Sequence, residues 1–217
     1  HLTAHWKHRY RITTYLVCFA VTNYAVFNNS FQLGNVTLPM VTYCYPESQT
    51  AFEAGITHTG EAMQLFHRHF GDYPFINEKY GHVQFGWGGG MEHQTSTFLF
   101  NTSESLVAHE LGHQWFGDMV TCGSWEDIWL NEGFATYVAR FHMETKYPAQ
   151  TRDFRQPVLD NITSVNDGSV KVNDTSSVSR IFSGRLSYNK VSYVVEMLRF
   201  KLGDTAFFRG IRNYLND

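Results

Sequence analysis

Residues 109–137 read HELGHQWFGDMVTCGSWEDIWLNEGFATY. His109 and His113 stand four apart, with Glu110 directly after the first. On a helix, positions four apart share a face at roughly 5–6 Å between Cβ atoms, so two imidazoles can converge on one metal ion. Glu110 then lies beside the metal rather than on it, where a general base acting on metal-activated water belongs. A catalytic zinc takes three protein ligands and keeps one open position. Glu132 follows nineteen residues after His113. A loop between two helices would return the second one antiparallel and bring Glu132 in as the third ligand. Alone, Glu132 reads as an ordinary first-turn helix acid favoured by the macrodipole. Its spacing from the two histidines makes it a candidate ligand instead. His and Glu each supply about one residue in twenty, so a chance His-Glu-x-x-His has an expectation of about 0.03 over the chain.

The elements around this segment follow from pattern. Asn101 with Glu104 predicts a capping box and a helix over 102–117, stopped by Gly117. A loop over 118–128 leads into a helix over 130–145, and a helical stretch to 162 follows Pro148. Upstream, the β-branched and aromatic runs 13–27, 36–45, 79–85 and 95–100 predict strands. Phe52, Ile56, Met63, Phe66 and Phe70 recur at helical multiples, an amphipathic helix ended by Gly71 and Pro74. His67 and His69 lie in it two apart, so they diverge and read as surface histidines. Residues 163–183 are polar and turn-rich, a long irregular loop. Val191, Val194, Val195, Leu198 and Leu202 make a last helical stripe, with Gly203 as its cap and Asp204 opening the next helix.

The 217 residues are 43% hydrophobic and 17% charged, a globular composition able to bury a core. A net charge of −3 gives no basic footprint for nucleic acid. No apolar run reaches the roughly 18 residues of a spanning helix. Cys18, Cys44 and Cys122 allow at most one disulfide and show no Cys-x-x-Cys spacing, which leaves the compartment open, cytoplasmic or exported.

A second segment, GWGGGMEH at residues 86–93, ends a predicted strand in glycines and a lone carboxylate. With it the chain resembles the gluzincin zinc aminopeptidases related to aminopeptidase N and leukotriene A4 hydrolase. The likeness rests on HELGHQWFGDMV, on WEDIWLNEGFATY and on the family's Gly-x-Met-Glu-Asn motif, which falls on Gly89, Gly90, Met91 and Glu92 with His93 in the Asn place. The Tyr-x-Lys-Gly motif falls on Tyr188, Asn189 and Lys190 with Val191 in the Gly place, and TYLVCFAV resembles the entry to the catalytic domain.

The resemblance implies an α+β fold: a thermolysin-like catalytic domain over residues 1–217, a small mixed β-sheet beside a mostly helical half with one zinc between them. Residues 1–12 are a candidate remnant of a preceding β-domain, and the family's N-terminal β and C-terminal helical domains are expected as flanking parts of a longer protein. It further implies hydrolysis of the N-terminal peptide bond, with His109, His113 and Glu132 on zinc, Glu110 as base and Tyr188 as oxyanion donor. Glu92 would grip the free α-ammonium of a peptide substrate, with Gly89, Gly90 and Met91 as a backbone platform. Gly88, just before the motif, suggests a roomy first side-chain pocket. Relatives often carry an acid seven residues after the ligand glutamate. Ala139 stands there, so Asp118 and Asp127 are both candidates to orient a zinc histidine. His93 could hydrogen-bond as Asn does, or charge near pH 6.5 and weaken ammonium binding. The alternatives are a thermolysin-like endopeptidase, against which the Gly-Met-Glu segment argues, and a zinc-binding domain with little activity apart from its flanking domains.

Overall fold

The computed structural model describes residue 3 and residues 5–216. Strands β1 (Ala25–Leu33), β2 (Val36–Cys44), β3 (Tyr80–Gln84), β4 (Gly90–Met91) and β5 (Thr97–Leu99) form one sheet in the order β1-β2-β3-β5-β4. β1 and β2 are an antiparallel hairpin, β2–β3 and β3–β5 pair in parallel, and β4 returns antiparallel on β5. β4 is therefore an edge, with one row of backbone N–H and C=O groups unpaired within the sheet.

Helices α1 (Gln49–Gly55) and α2 (Thr59–Phe70) connect β2 to β3. α3 (Glu104–Gly112), α4 (Trp129–Lys146), α5 (Thr151–Thr163), the short α6 (Val178–Ile181), α7 (Val191–Leu202) and α8 (Asp204–Asn216) make the helical half. One core joins the halves. Phe66 and Phe70 of α2 meet Trp115, Phe116 and Phe141 as fully or nearly fully buried rings in edge-to-face contacts. Aromatic area of this kind supplies both burial and preferred ring geometry. The result is the expected α+β arrangement.

A polar clamp sets α3 against α4, the two helices that carry the metal-type residues. Glu104, in the first turn of α3, accepts from His142 Nε2 and Lys146 Nζ, each at 2.8 Å, and from Tyr147 Oη at 2.9 Å. Burial opposes ionisation of Glu104, but these donors outweigh it and hold the carboxyl at about 2.

Several expectations are corrected. Residues 13–27 do not form a strand as a unit: Thr14–Leu16 is a 3₁₀ turn, the next stretch is irregular, and β1 starts at Ala25. Phe19 and Val21 are both 89% exposed, because no neighbouring strand pairs with them among the described residues. Strand propensity expresses fit to a pleated surface, and here that surface is lacking. The helix expected over 102–117 is shorter. Asn101 Oδ1 accepts from Ser103 N at 2.9 Å in a local turn instead of capping, and the chain leaves the helix after Gly112. His113 nevertheless keeps helical angles and bonds back to His109 O, so the four-residue spacing survives. His69 is not a surface residue. It is half-buried, its ring 4.5 Å from that of Phe208, and burial lowers its pKa. The three cysteines are free. The reading of residues 1–12 falls partly outside the described residues, at His1, Leu2 and Ala4.

Candidate metal centre and cleft

α3 and α4 run side by side and turn His109, His113 and Glu132 to one point. His113 Nε2 and His109 Nε2 lie 3.2 Å apart, and Glu132 Oε2 is 3.3 Å from His109 Nε2 and 3.2 Å from His113 Nε2. A tetrahedral ion with ligands at about 2.0–2.1 Å spaces those ligands about 3.3–3.4 Å apart, so the triangle fits one face of a zinc tetrahedron. Three donors this close to one another are a metal-type set. The carboxylate is held well below its ordinary range by the two imidazoles, which outweigh its burial. Burial pushes the His109 imidazole down, whereas the surrounding carboxylates Glu92 and Glu132 raise His113 despite its burial.

The partner that orients His113 is a backbone group. Its Nδ1 lies 3.0 Å from Phe116 O, in the turn that ends α3. Neither Asp118 nor Asp127 does this. Both Asp118 oxygens are buried without a partner and burial raises its pKa, while Asp127 accepts from Trp129 Nε1 at 3.1 Å.

Glu110 faces the same space. Its Oε2 is buried with no hydrogen-bond partner, and burial pushes the carboxyl well above the usual carboxylate range, with Glu92 and Glu132 adding to the shift against His113. Gly90 explains how the carboxylate fits. A Cβ there would stand 2.5 Å from Glu110 Oε1, so the glycine clears room for the acid beside the strand. Gly88 and Gly89 have no such neighbour, and they line the cleft.

Glu92 is buried, and carboxylate oxygens of Glu92 and Glu110 and a ring nitrogen of His113 all lie within 4.8 Å of one another. Tyr15 Oη donates to Glu92 Oε1 at 3.1 Å and accepts from Asn131 Nδ2 at 3.5 Å. Gln114 Nε2 donates to Glu92 O at 3.2 Å. Tyr15, Asn131 and Gln114 were not legible as site residues. They lie inside the stretches TYLVCFAV, WEDIWLNEGFATY and HELGHQWFGDMV, but spacing assigns them no role, because each meets its partner across 22 residues or more. His93 packs its ring 4.7 Å from Phe98, and its Nδ1 lies 2.9 Å from Leu16 O. Burial lowers its pKa, which disfavours the expectation of charging near pH 6.5.

Tyr188 stacks on His109 with ring centroids 6.0 Å apart. Burial and the Glu132 carboxylate push its phenol far above the ordinary range, so it remains a donor. It lies in a π-helical turn, Gly184–Lys190, that runs into α7. Val191 takes the expected Gly place because its side chain packs on Gly133, where a Cβ would come within 2.1 Å of Val191 Cγ1. All nine expected site residues line one cleft of 920 Å³.

Comparison with known proteins gives the family and the fold. Residues 90–217 match the Peptidase family M1 domain. Human glutamyl aminopeptidase is 31% identical over 94% of this chain and 24% of its own length, and aminopeptidase 2 of Candida albicans is 29% identical over 94% and 24%. The chain thus spans about a quarter of the curated relatives it matches. Among solved structures, the M1 zinc metallopeptidase from Deinococcus radiodurans superposes with a TM-score of 0.76 at 23% identity, over 88% of this chain and 44% of that one.

Proposed function

Because the chain belongs to peptidase family M1, we propose that it forms the catalytic part of a zinc aminopeptidase that removes the first residue from peptides with a free N-terminus. The observation that carries this reading is the approach of Glu92 to Glu110 and His113 within 4.8 Å. In a peptide the α-nitrogen is about 2.5 Å from the carbonyl carbon of its own residue. An ammonium held by Glu92 therefore brings the first peptide bond, and no internal one, to Glu110. An endopeptidase would gain nothing from a buried carboxylate at that spot, since it would stay unpaired.

His109, His113 and Glu132 would hold the metal, and the orphaned Glu110 oxygen and the triangle of donors support a zinc ion there. Zinc, when bound, polarises the scissile carbonyl and activates the attacking water. Glu110 accepts the proton of that water and delivers it to the departing amine nitrogen. Burial raises the pKa of Glu110, which favours the protonated form once the proton has been taken up for delivery. The Tyr188 hydroxyl donates to the developing oxyanion. The open edge of β4 at Gly90 and Met91 offers backbone groups to the peptide, as an added strand. Flanking domains of a longer protein would complete the enzyme, in keeping with the quarter of the relatives' length spanned here.

Glu110→Gln tests the assignment. Turnover should fall by about 10²–10⁴ while zinc stays near one per chain, because the base is removed and the ligands are not. Retained turnover would contradict the role of Glu110. Loss of zinc in that variant would contradict the ligand set.

A further inference from the structure

Asp118 is a buried carboxylate that the reaction does not use. It is 8% exposed, and both of its oxygens are buried without a hydrogen-bond partner among the described residues. Neither charge state is satisfied by the chain. Ionised, the group offers two bare acceptors; protonated, it adds an O–H that has no acceptor. A buried carboxylate in this position calls for a counter-charge.

Asp118 lines a cavity of 470 Å³ enclosed by segment 10–13, residues 74–75 and the loop that follows α3. Thr13 lines the same cavity, and its Oγ1 is likewise buried without a partner among the described residues. The segment above is fastened at its margins. Tyr10 sets its ring edge-on to Phe75 at 5.3 Å and accepts from Asn77 Nδ2 at 3.2 Å, and Arg11 O accepts from Gln94 Nε2 at 3.0 Å. The bare atoms of Asp118 and Thr13 are all oxygens, hard donors that suit alkali and alkaline-earth ions better than zinc. Arg11 and Met119 are exposed residues of the same lining and give an ion a path in.

We propose that this cavity binds one alkali-metal cation, K⁺ or Na⁺, through Asp118 and Thr13, and so ties segment 10–13 to the loop after α3. Asp118 is the only carboxylate in the lining, so a monovalent ion neutralises it. A divalent ion would leave a surplus positive charge in a buried place close to the metal centre. Two residues beyond Thr13, Tyr15 donates to Glu92, so the ion secures the segment that reaches the proposed ammonium grip. Arg11 is the rival counter-charge, because its side chain belongs to the same lining.

Thermal unfolding of the zinc-loaded protein in KCl, NaCl and tetramethylammonium chloride, at one ionic strength, tests the site. K⁺ or Na⁺ at about tenfold over its Kd should raise Tm by about 3–5 °C over tetramethylammonium, with a single-site midpoint. Asp118→Asn, nearly equal in size, should abolish the difference and keep zinc near one per chain, because no zinc ligand changes. Thr13→Val removes only the hydroxyl and should raise the midpoint concentration about threefold or more. It carries the test if Asp118→Asn does not fold. Arg11→Ala should leave the difference in place. Equal Tm in all three salts means a water-filled cavity only and overturns the site. A difference that persists in Asp118→Asn, or a midpoint unmoved in Thr13→Val, overturns it as well by placing the ion elsewhere. Loss of the difference in Arg11→Ala would do the same.

Discussion

Spacing alone makes His109, His113, Glu110 and Glu132 legible, because a helix converts a four-residue interval into a shared face and metal chemistry leaves few residue types. Groups that position them are not legible in the same way. The acceptor for His113 is the Phe116 carbonyl, which any residue could supply, and the donor to Glu92 is Tyr15, seventy-seven positions away. Tyr15 gives a sharp prediction. Its hydroxyl hydrogen-bonds to the proposed ammonium grip, and a bond to a charged group contributes about 1.5–3 kcal/mol. Tyr15→Phe should raise KM for a free-amine substrate about tenfold or more with kcat changed far less, because the ammonium is bound in both ground and transition states. Steady-state kinetics on an aminoacyl-amide read this directly. An equal fall in kcat with KM unchanged would place Tyr15 elsewhere in the reaction.

At the level of elements, long periodic segments are readable and junctions are not. The stripe over 191–202 appears as α7, yet nothing in its periodicity marks the π-helical turn just before it, where one extra residue per turn carries Tyr188. Likewise the strand signal of 13–27 expresses composition, whereas pairing decides which part becomes β1. The junction of α4 and α7 is set by the pair Gly133 and Val191. Adding a methyl in a filled site costs about 1–3 kcal/mol, more than the helix propensity gained by Ala over Gly. Gly133→Ala should lower unfolding stability by about that amount and weaken zinc binding, since Glu132 is its neighbour. Combining it with Val191→Ala should recover part of both losses. Denaturant titrations of the two single variants and the double variant measure the coupling. Strict additivity would mean that the two residues do not share the junction.

For the whole molecule, aromatic packing between sheet and helices creates a dry interior that penalises charge. His82 on β3 shows it: burial, with the Lys79 ammonium adding, drives its pKa down to about 3, and its two nitrogens meet Thr42 and Thr59 hydroxyls at 3.2 Å. The unfolded chain protonates His82 near 6.5 and the folded one only near 3. Stability from this residue is full above pH 6.5 and is lost as pH falls toward 3, at about 1.4 kcal/mol per pH unit. Urea titrations between pH 7 and 4.5 should show that loss, and His82→Gln should make it shallower by about one proton. The same dry interior holds Glu92 beside Glu110, and the central claim depends on that pair. Its most direct test is hydrolysis of an aminoacyl-amide and its N-acetylated twin by the same zinc-loaded preparation. The account predicts cleavage of the free amine and at least a hundredfold lower kcat/KM for the acetylated compound. Equal rates on both would contradict it.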